Sequence, residues 1–243
     1  MLRAVTGARP ILNPREVPVS GIDAHLPALP AERLAPEALR RHWATVPLAA
    51  PERPGDGNRF PGRAPRAAAV LVPLVQRAEG LSVLLTRRTE ALRDHAGQIS
   101  FPGGSVDPTD ANAWAAALRE AEEEIGLARQ FVEPLGQLPV YSTVTAFEVT
   151  PCVGLVAPGF ELRLQSGEVD EAFEVPLPYL MNPAHHRRHR MQFLGVEREF
   201  LSMPWPDESG YFIWGATAAM LRNLYHQLSQ DRAGLEPASM ISP

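Results

Sequence analysis

The 243-residue chain is expected to fold as an α/β protein, with a sheet layered against helices. Three observations predict this. Short apolar and β-branched runs recur between Ala67 and Trp205, and two or three segments of helical periodicity lie between and after them. The composition, 45% hydrophobic and 21% charged, is that of an ordinary globular domain with a substantial core.

The elements follow in chain order. Residues 1–66 hold eleven prolines, from Pro10 to Pro65, which interrupt regular structure. They read as a wrapped extension, with one short helix over Pro36 to Trp43, whose proline sits near the start. The main domain is expected over 67–230. Ala67 to Val75 and Leu81 to Thr86 read as two buried strands joined by a polar turn around Gly80. Gly97 to Phe101 alternates like a strand that stops at Pro102-Gly-Gly104. A helix is expected from about Asp110 to Gly126. Val132 to Val140 and Glu148 to Val156 read as strands, the second carrying Pro151, which suits an edge or a bulge. Glu168 to Ala172 reads as one helical turn before the apolar run Phe173 to Leu177, and Phe200 to Trp205 as another strand. Gly215 to Leu228 places Ala219, Leu221, Leu224, Tyr225 and Leu228 at helical spacing. Residues 231–243, with Gly234, Pro237 and Pro243, read as a loose tail.

Composition excludes several functions. The net charge is −5 and the pI about 5.8, so a global field for unspecific nucleic-acid binding is missing. All 23 basic residues are arginine, which rules out Schiff-base chemistry on a lysine and a phosphate loop with its lysine. Cys152 is the only cysteine, so there is no intramolecular disulfide or multi-cysteine zinc cluster, and it is expected to be buried and inert. The first twelve residues lack a secretory apolar stretch, and the longest apolar run is too short to span a bilayer. A cytoplasmic protein with no membrane or nucleic-acid partner is expected.

The most informative segment is Asp107-Pro-Thr-Asp-Ala-Asn-Ala-Trp-Ala-Ala-Ala-Leu-Arg-Glu-Ala-Glu-Glu-Glu-Ile-Gly126. Alanine, leucine and glutamate favour helix, Asp107 or Asp110 can cap its start, and Gly126 suits its end. Trp114, Leu118, Ala121 and Ile125 form one apolar stripe, which leaves Glu120, Glu123 and Glu124 together on the opposite side. Carboxylates at this spacing have Cβ atoms roughly 5 to 6 Å apart and repel. One reading is a solvated acidic face with Arg119 pairing Glu123. The other is a site for Mg²⁺ or Mn²⁺, since hard cations select oxygen ligands. The glycines of Phe101-Pro-Gly-Gly104 favour the second, because they let backbone approach a ligand closely.

Arg119-Glu120-Ala121-Glu122-Glu123-Glu124-Ile125-Gly126-Leu127 resembles the second half of the Nudix box, the loop-helix-loop signature of Mg²⁺-dependent hydrolases that cleave a nucleoside diphosphate linked to another group. Leu84-Leu-Thr-Arg-Arg-Thr-Glu-Ala-Leu-Arg-Asp-His-Ala-Gly-Gln-Ile-Ser-Phe-Pro-Gly-Gly104 resembles the additional motif of the coenzyme A pyrophosphatase branch. Val144 to Pro151, Glu168 to Leu177 and Tyr211 to Gly215 are similar to the same branch, so the resemblance covers about Ala67 to Leu228. One departure is visible. The box aligned on Arg119-Glu120 would place its leading glycine at Ser105 and its first glutamate at Ala111, whereas the chain has Gly104, Asp107 and Asp110. That leaves open which acid, if any, pairs with Arg119.

The resemblance implies a Nudix-type α/β/α sandwich with a central mixed sheet. It implies metal ligands Glu120, Glu123 and Glu124, catalytic roles for Glu123 and Arg119, and Glu168 or Glu171 as a downstream base. Arg87, Arg88, Arg93, His95, Gly103 and Gly104 would bind substrate, because arginine forks match phosphates. The implied reaction is hydrolysis of coenzyme A or acyl-CoA to adenosine 3′,5′-bisphosphate and (acyl-)4′-phosphopantetheine. Its rivals are the same chemistry on ADP-ribose or NADH, and a non-catalytic nucleotide-binding regulator. The expected partner is a small nucleotide, and a homodimer is compatible with the sequence. His185 to Arg190 reads as a solvated basic loop or a phosphate contact, and Trp205, Tyr211, Phe212 and Trp214 as core.

Overall fold

The computed structural model describes residues 13–55, 64–90, 97–193, 196–207 and 210–231. Arg93 and His95 lie outside them, as does the tail beyond residue 231. Among the described residues, twelve strands and four α-helices form a mixed α/β structure around a central mixed sheet. The arm supplies β1 (Val19–Ile22) and α1 (Pro36–Thr45). Next come β2 (Arg66–Arg77) and β3 (Gly80–Arg88), an antiparallel hairpin whose turn uses Gly80 at φ 120°. β2 is buried on both faces: Ala69, Leu71 and Val75 belong to one cluster, Val72 and Leu74 to the other. This explains its continuous apolar run, each buried Val or Leu contributing about 1.5–3 kcal/mol.

The hairpin splays after four residue pairs. Beyond the split, β4 (Ile99–Ser100) pairs with the end of β3, and β5 (Gly103–Ser105) crosses to pair with the start of β2. This short ribbon carries the Pro-Gly-Gly turn. α2 (Ala113–Ile125), β6 (Val132–Gln137) and β7 (Tyr141–Ser142) follow, then β8 (Phe147–Val156), which runs parallel to β2 along its length. Parallel pairing needs a long crossover, and α2 lies within it. β8 is central, not an edge; Pro151 sits where its neighbour changes from β6 to β7, so the missing N–H costs no regular ladder bond.

Glu168 to Ala172 is not a helical turn. β9 (Val169–Pro176) claims all but the first residue, because the open side of β3 offers an antiparallel ladder from Ser82 to Arg88. After the short α3 (Leu177–Leu180) come β10 (Arg187–Phe193), β11 (Val196–Trp205) and β12 (Tyr211–Trp214), which join β1 in a second, four-stranded antiparallel sheet. His185 to Arg190 is thus mostly strand and not a solvated loop. His189 is buried, its Nδ1 donating to the Val17 carbonyl and its Nε2 meeting Ser202 Oγ, both at 2.8 Å. His185 stacks separately on Tyr179. α4 (Gly215–Ser229) packs into the large cluster through Leu221, Leu224, Tyr225 and Leu228. α2 covers one face of the central sheet, while α4 and the second sheet share the cluster on its other face.

The arm is part of that interior. Leu29, Leu34 and Leu39 are buried in the cluster of Leu177, Leu180 and Leu224. Trp43 lies so close to Gly136 that a Cβ there would meet its ring at 1.9 Å. Asp23, 2% exposed, pairs with Arg222 at 3.0 Å and accepts a fork from Arg188, while Arg222 Nε donates to Glu52 at 2.7 Å. Arg222 also donates to His186 Nδ1 at 3.1 Å, which fixes the imidazole proton on Nε2, where it donates to the Leu180 carbonyl.

Burial, with the Arg222 charge beside it, pushes His186 down to about 4. The unfolded chain therefore binds this proton more tightly, so stability is full above about pH 6.5 and falls as pH drops toward 4. Between pH 7 and pH 5 the expected loss is about 2 kcal/mol. Urea unfolding of wild type and His186→Gln at both pH values checks it; identical pH slopes would refute the assignment.

Candidate active site

The acidic helix begins later than its aspartates suggest. Asn112 caps it, accepting from Ala115 N–H at 3.0 Å, while Asp107 takes the Thr109 N–H and hydroxyl and Asp110 the Asp107 N–H. At the far end Gly126 adopts φ 71° and closes the last turn. The buried face is Ala116, Ala117, Ala121 and Ile125; Trp114 and Leu118 are only partly buried. Alanines let the helix sit close on Leu71, Val75 and Leu84, and that contact turns the expected stripe. The same rotation overturns one expectation: Glu124 is not on the outer side but buried, 4% exposed.

Glu124 survives there through specific partners. Its Oε2 accepts the Gly103 N–H at 2.9 Å, and Arg88 lies 3.5 Å from Oε1. Burial nevertheless pushes its pKa up to about 7, with Glu120 and Glu168 adding repulsion. Glu120 is also raised, chiefly by burial, and by Glu123 and Glu168. The turn glycines hold these carboxylates against the ribbon. A Cβ on Gly104 would sit 2.5 Å from Glu120 Cδ, and one on Gly103 (φ 152°) would sit 2.4 Å from the Ala69 carbonyl oxygen.

Gly104→Ala should therefore displace Glu120 and cost activity with little loss of fold, since a flexible carboxylate can yield. Gly103→Ala should cost stability, by roughly 1–3 kcal/mol or more, since backbone blocks it and the φ is strained. Melting temperatures and initial rates of the two variants check this. Equal stability losses would contradict the division.

Arg119 joins loop to helix. It grips Asp110 with two bonds of 3.1 and 2.9 Å, and also donates to the Ser105 carbonyl, Glu120 and Glu123. Asp110 is thus its loop partner, and the Arg119 bonds hold that carboxyl below its usual range. Ser105 takes part through its carbonyl, which no side-chain pattern announces. Glu123, the most exposed of the three glutamates, is tied by its contact with Arg119 at 2.9 Å.

The two motif arginines separate. Arg88 reaches Glu124 on the α2 face, while Arg87 points to the other face and pairs with Glu171 at 3.1 Å. The two candidate bases divide the same way: Glu168 adds its charge to Glu120 and Glu124, whereas Glu171 also takes the Tyr211 hydroxyl. Beside Arg87 and Glu171 lies a cleft of about 910 Å³. Tyr211, Phe212 and Trp214, expected as core, line it as partly exposed residues. Cys152 is fully buried, its thiol pushed up to about 11 by burial.

A model of the NUDIX domain matches residues 65–194. The chain is 44% identical over 164 residues to the uncharacterized Nudix hydrolase NudL of Escherichia coli K12, covering 67% of this chain and 83% of that relative. The chain belongs to the Nudix family. The counterpart from Shigella boydii is 43% identical with the same coverage. Among solved structures, the MutT protein of Methanosarcina mazei Go1 aligns over 50% of this chain and 83% of its own, at 27% identity and a TM-score of 0.40. A Caenorhabditis elegans Ap4A hydrolase complex aligns over 49% and 85%, at 22% identity and a TM-score of 0.40.

As a Nudix hydrolase the chain acts on diphosphate bonds of nucleoside diphosphate derivatives, and the family generally works with Mg²⁺ or Mn²⁺. The donors fit such an ion. Glu120 and Glu124 stand one helical turn apart with pKa values raised by crowding and burial, so a hard cation would relieve their repulsion. Among the described residues, no three His, Cys, Asp or Glu side chains form a closed cage. Water and phosphate oxygens would complete the sphere, the usual manner of holding Mg²⁺. Also among the described residues, no helix is long and apolar enough to cross a membrane.

Proposed function

We propose that this Nudix hydrolase cleaves the diphosphate of coenzyme A or acyl-CoA to adenosine 3′,5′-bisphosphate and (acyl-)4′-phosphopantetheine. The observation that carries the reading is the Glu120 and Glu124 pair held against Gly103-Gly104, since that turn ends the segment from Leu84 that resembles the coenzyme A branch. Glu120 and Glu124 hold the divalent ion, with Glu123 alongside. Bound there, Mg²⁺ or Mn²⁺ supplies charge neutralisation at the phosphates and a more acidic water. Glu168, whose charge reaches both Glu120 and Glu124, would take a proton from the attacking water; Glu123 is the second candidate. Arg88 steadies Glu124 and offers N–H groups to phosphate oxygens. Arg119 is a positioning residue, because its donors are committed to Asp110, Ser105, Glu120 and Glu123.

The test is mass-spectrometric product analysis after coenzyme A and Mg²⁺ are incubated with the protein in ¹⁸O-labelled water. Two products, with the label in one phosphate of one of them, are expected. Faster cleavage of ADP-ribose or NADH would overturn the substrate, and no cleavage of any of these would leave a nucleotide-binding regulator.

A further inference from the structure

The turn that meets Glu120 and Glu124 hangs on β4, and among the described residues β4 pairs only with β3, at the end of the central sheet. The Arg88 N–H donates to the Gln98 carbonyl at 2.9 Å, so that carbonyl faces β3. Along a strand successive carbonyls alternate sides, which turns the next one, that of Ile99, away from the ladder. Ile99 is buried, and a buried carbonyl without a donor is costly.

The donor comes from the C-terminal helix. Thr217, the third residue of α4, is buried, and its hydroxyl donates to the Ile99 carbonyl at 2.9 Å. Residue 217 falls outside the stretch 65–194 that carries the family's signature. From Ile99 onward the chain is fastened almost residue by residue. The Ser100 carbonyl accepts from the Thr86 hydroxyl at 3.2 Å, Phe101 is buried in the large cluster, and the Pro102 carbonyl accepts from the Leu71 N–H at 2.9 Å. Gly103 then pairs with Val70 and gives its N–H to Glu124. A backbone tied this closely passes a displacement at Ile99 on to the turn, because it has little slack to absorb one.

We propose that Thr217 is a positioning residue of the active site, whose hydroxyl sets the Pro-Gly-Gly turn so that the Gly103 N–H meets Glu124 and Gly104 passes close to Glu120. The inference rests on the reading that these two glutamates hold the divalent ion. Thr217 acts through the ribbon backbone. Valine has the same shape without the hydroxyl, so Thr217→Val leaves the Ile99 carbonyl facing a methyl group, and the ribbon must shift to find another donor. Thr217→Ser keeps the donor and loses only the methyl.

Full-length wild type, Thr217→Val and Thr217→Ser are compared by two measurements made without substrate. One is the Mn²⁺ dissociation constant, from the electron paramagnetic resonance of the free ion. The other is the exchange rate of the Gly103 amide in metal-free buffer, followed by NMR. Losing a direct support of a metal ligand costs roughly 10- to 100-fold, and Thr217 is one step further away, so Thr217→Val should weaken Mn²⁺ about fivefold. Gly103 exchange should quicken about fivefold, as loss of one net hydrogen bond implies. Thr217→Ser should stay within about twofold of wild type in both, since its donor is intact. Where Thr217→Val does not fold, Thr217→Cys, with its weak thiol donor, carries the same comparison. Unchanged Gly103 exchange or unchanged Mn²⁺ affinity in the variant without the hydroxyl would overturn the proposal, as would a serine variant as impaired as the valine one, which would assign the effect to packing of the methyl. A wild type that takes up no Mn²⁺ while Gly103 responds as expected would refute the metal reading and leave the hold of Thr217 on the turn. Failure to cleave coenzyme A would touch neither measurement.

Discussion

Glu124→Gln is expected to lower turnover by about 100-fold or more while the protein melts within a degree or two of wild type in metal-free buffer. Loss of a group that merely supports a metal ligand typically costs 10- to 100-fold, so loss of the ligand should reach at least the upper end of that range. The stability side follows from burial. Glu124 is held among Gly103, Arg88 and two other carboxylates with its pKa pushed up to about 7, so its charge is a burden when no cation is present. Glutamine has the same shape and can still accept the Gly103 N–H. Adding Mn²⁺ should raise the melting point of wild type but not of the variant. Steady-state rates and thermal scans with and without metal decide it; retained turnover would remove Glu124 from the metal site.

Asp23→Ala should cost about 3–5 kcal/mol of stability, because it removes one member of a buried charge pair and leaves the other. Arg222 is 2% exposed, and among the described residues it would keep only Glu52 as an ionic partner while Arg188 would keep only Glu199. Arg77→Ala makes the contrast, since its pair with Glu174 is at the surface and worth under about 1 kcal/mol. Denaturant midpoints of the two variants measure the difference. A loss below 1 kcal/mol for Asp23→Ala would mean that water enters and solvates Arg222.

The periodic segments were legible without coordinates. The α2 and α4 helices and the strands β2, β3 and β8 lie within a few residues of where their apolar patterns place them. What could not be read was orientation. Arg87 and Arg88 are adjacent letters that leave opposite faces of β3, and only the partners across the sheet show which side holds α2. Glu124 belongs by charge to the outer face, yet a helix lined with alanine approaches the sheet closely enough to bury it. β10 escaped because its Arg and His residues do not alternate with apolar ones; its buried side chain is a histidine satisfied by two hydrogen bonds. β9 escaped because its pairing is with a strand some eighty residues earlier.

The union of arm, α4 and central sheet in one interior has a practical consequence. Residues 65–194 carry the family's signature, but a fragment trimmed to them would strip away Leu29, Leu34 and Leu39 from one end and Leu201, Ile213, Leu221 and Leu224 from the other. A bare greasy flank would remain where those side chains had nested, and such a truncated polypeptide should emerge from cells as insoluble aggregate. The stretch that carries the family's signature is shorter than the stretch that completes this interior.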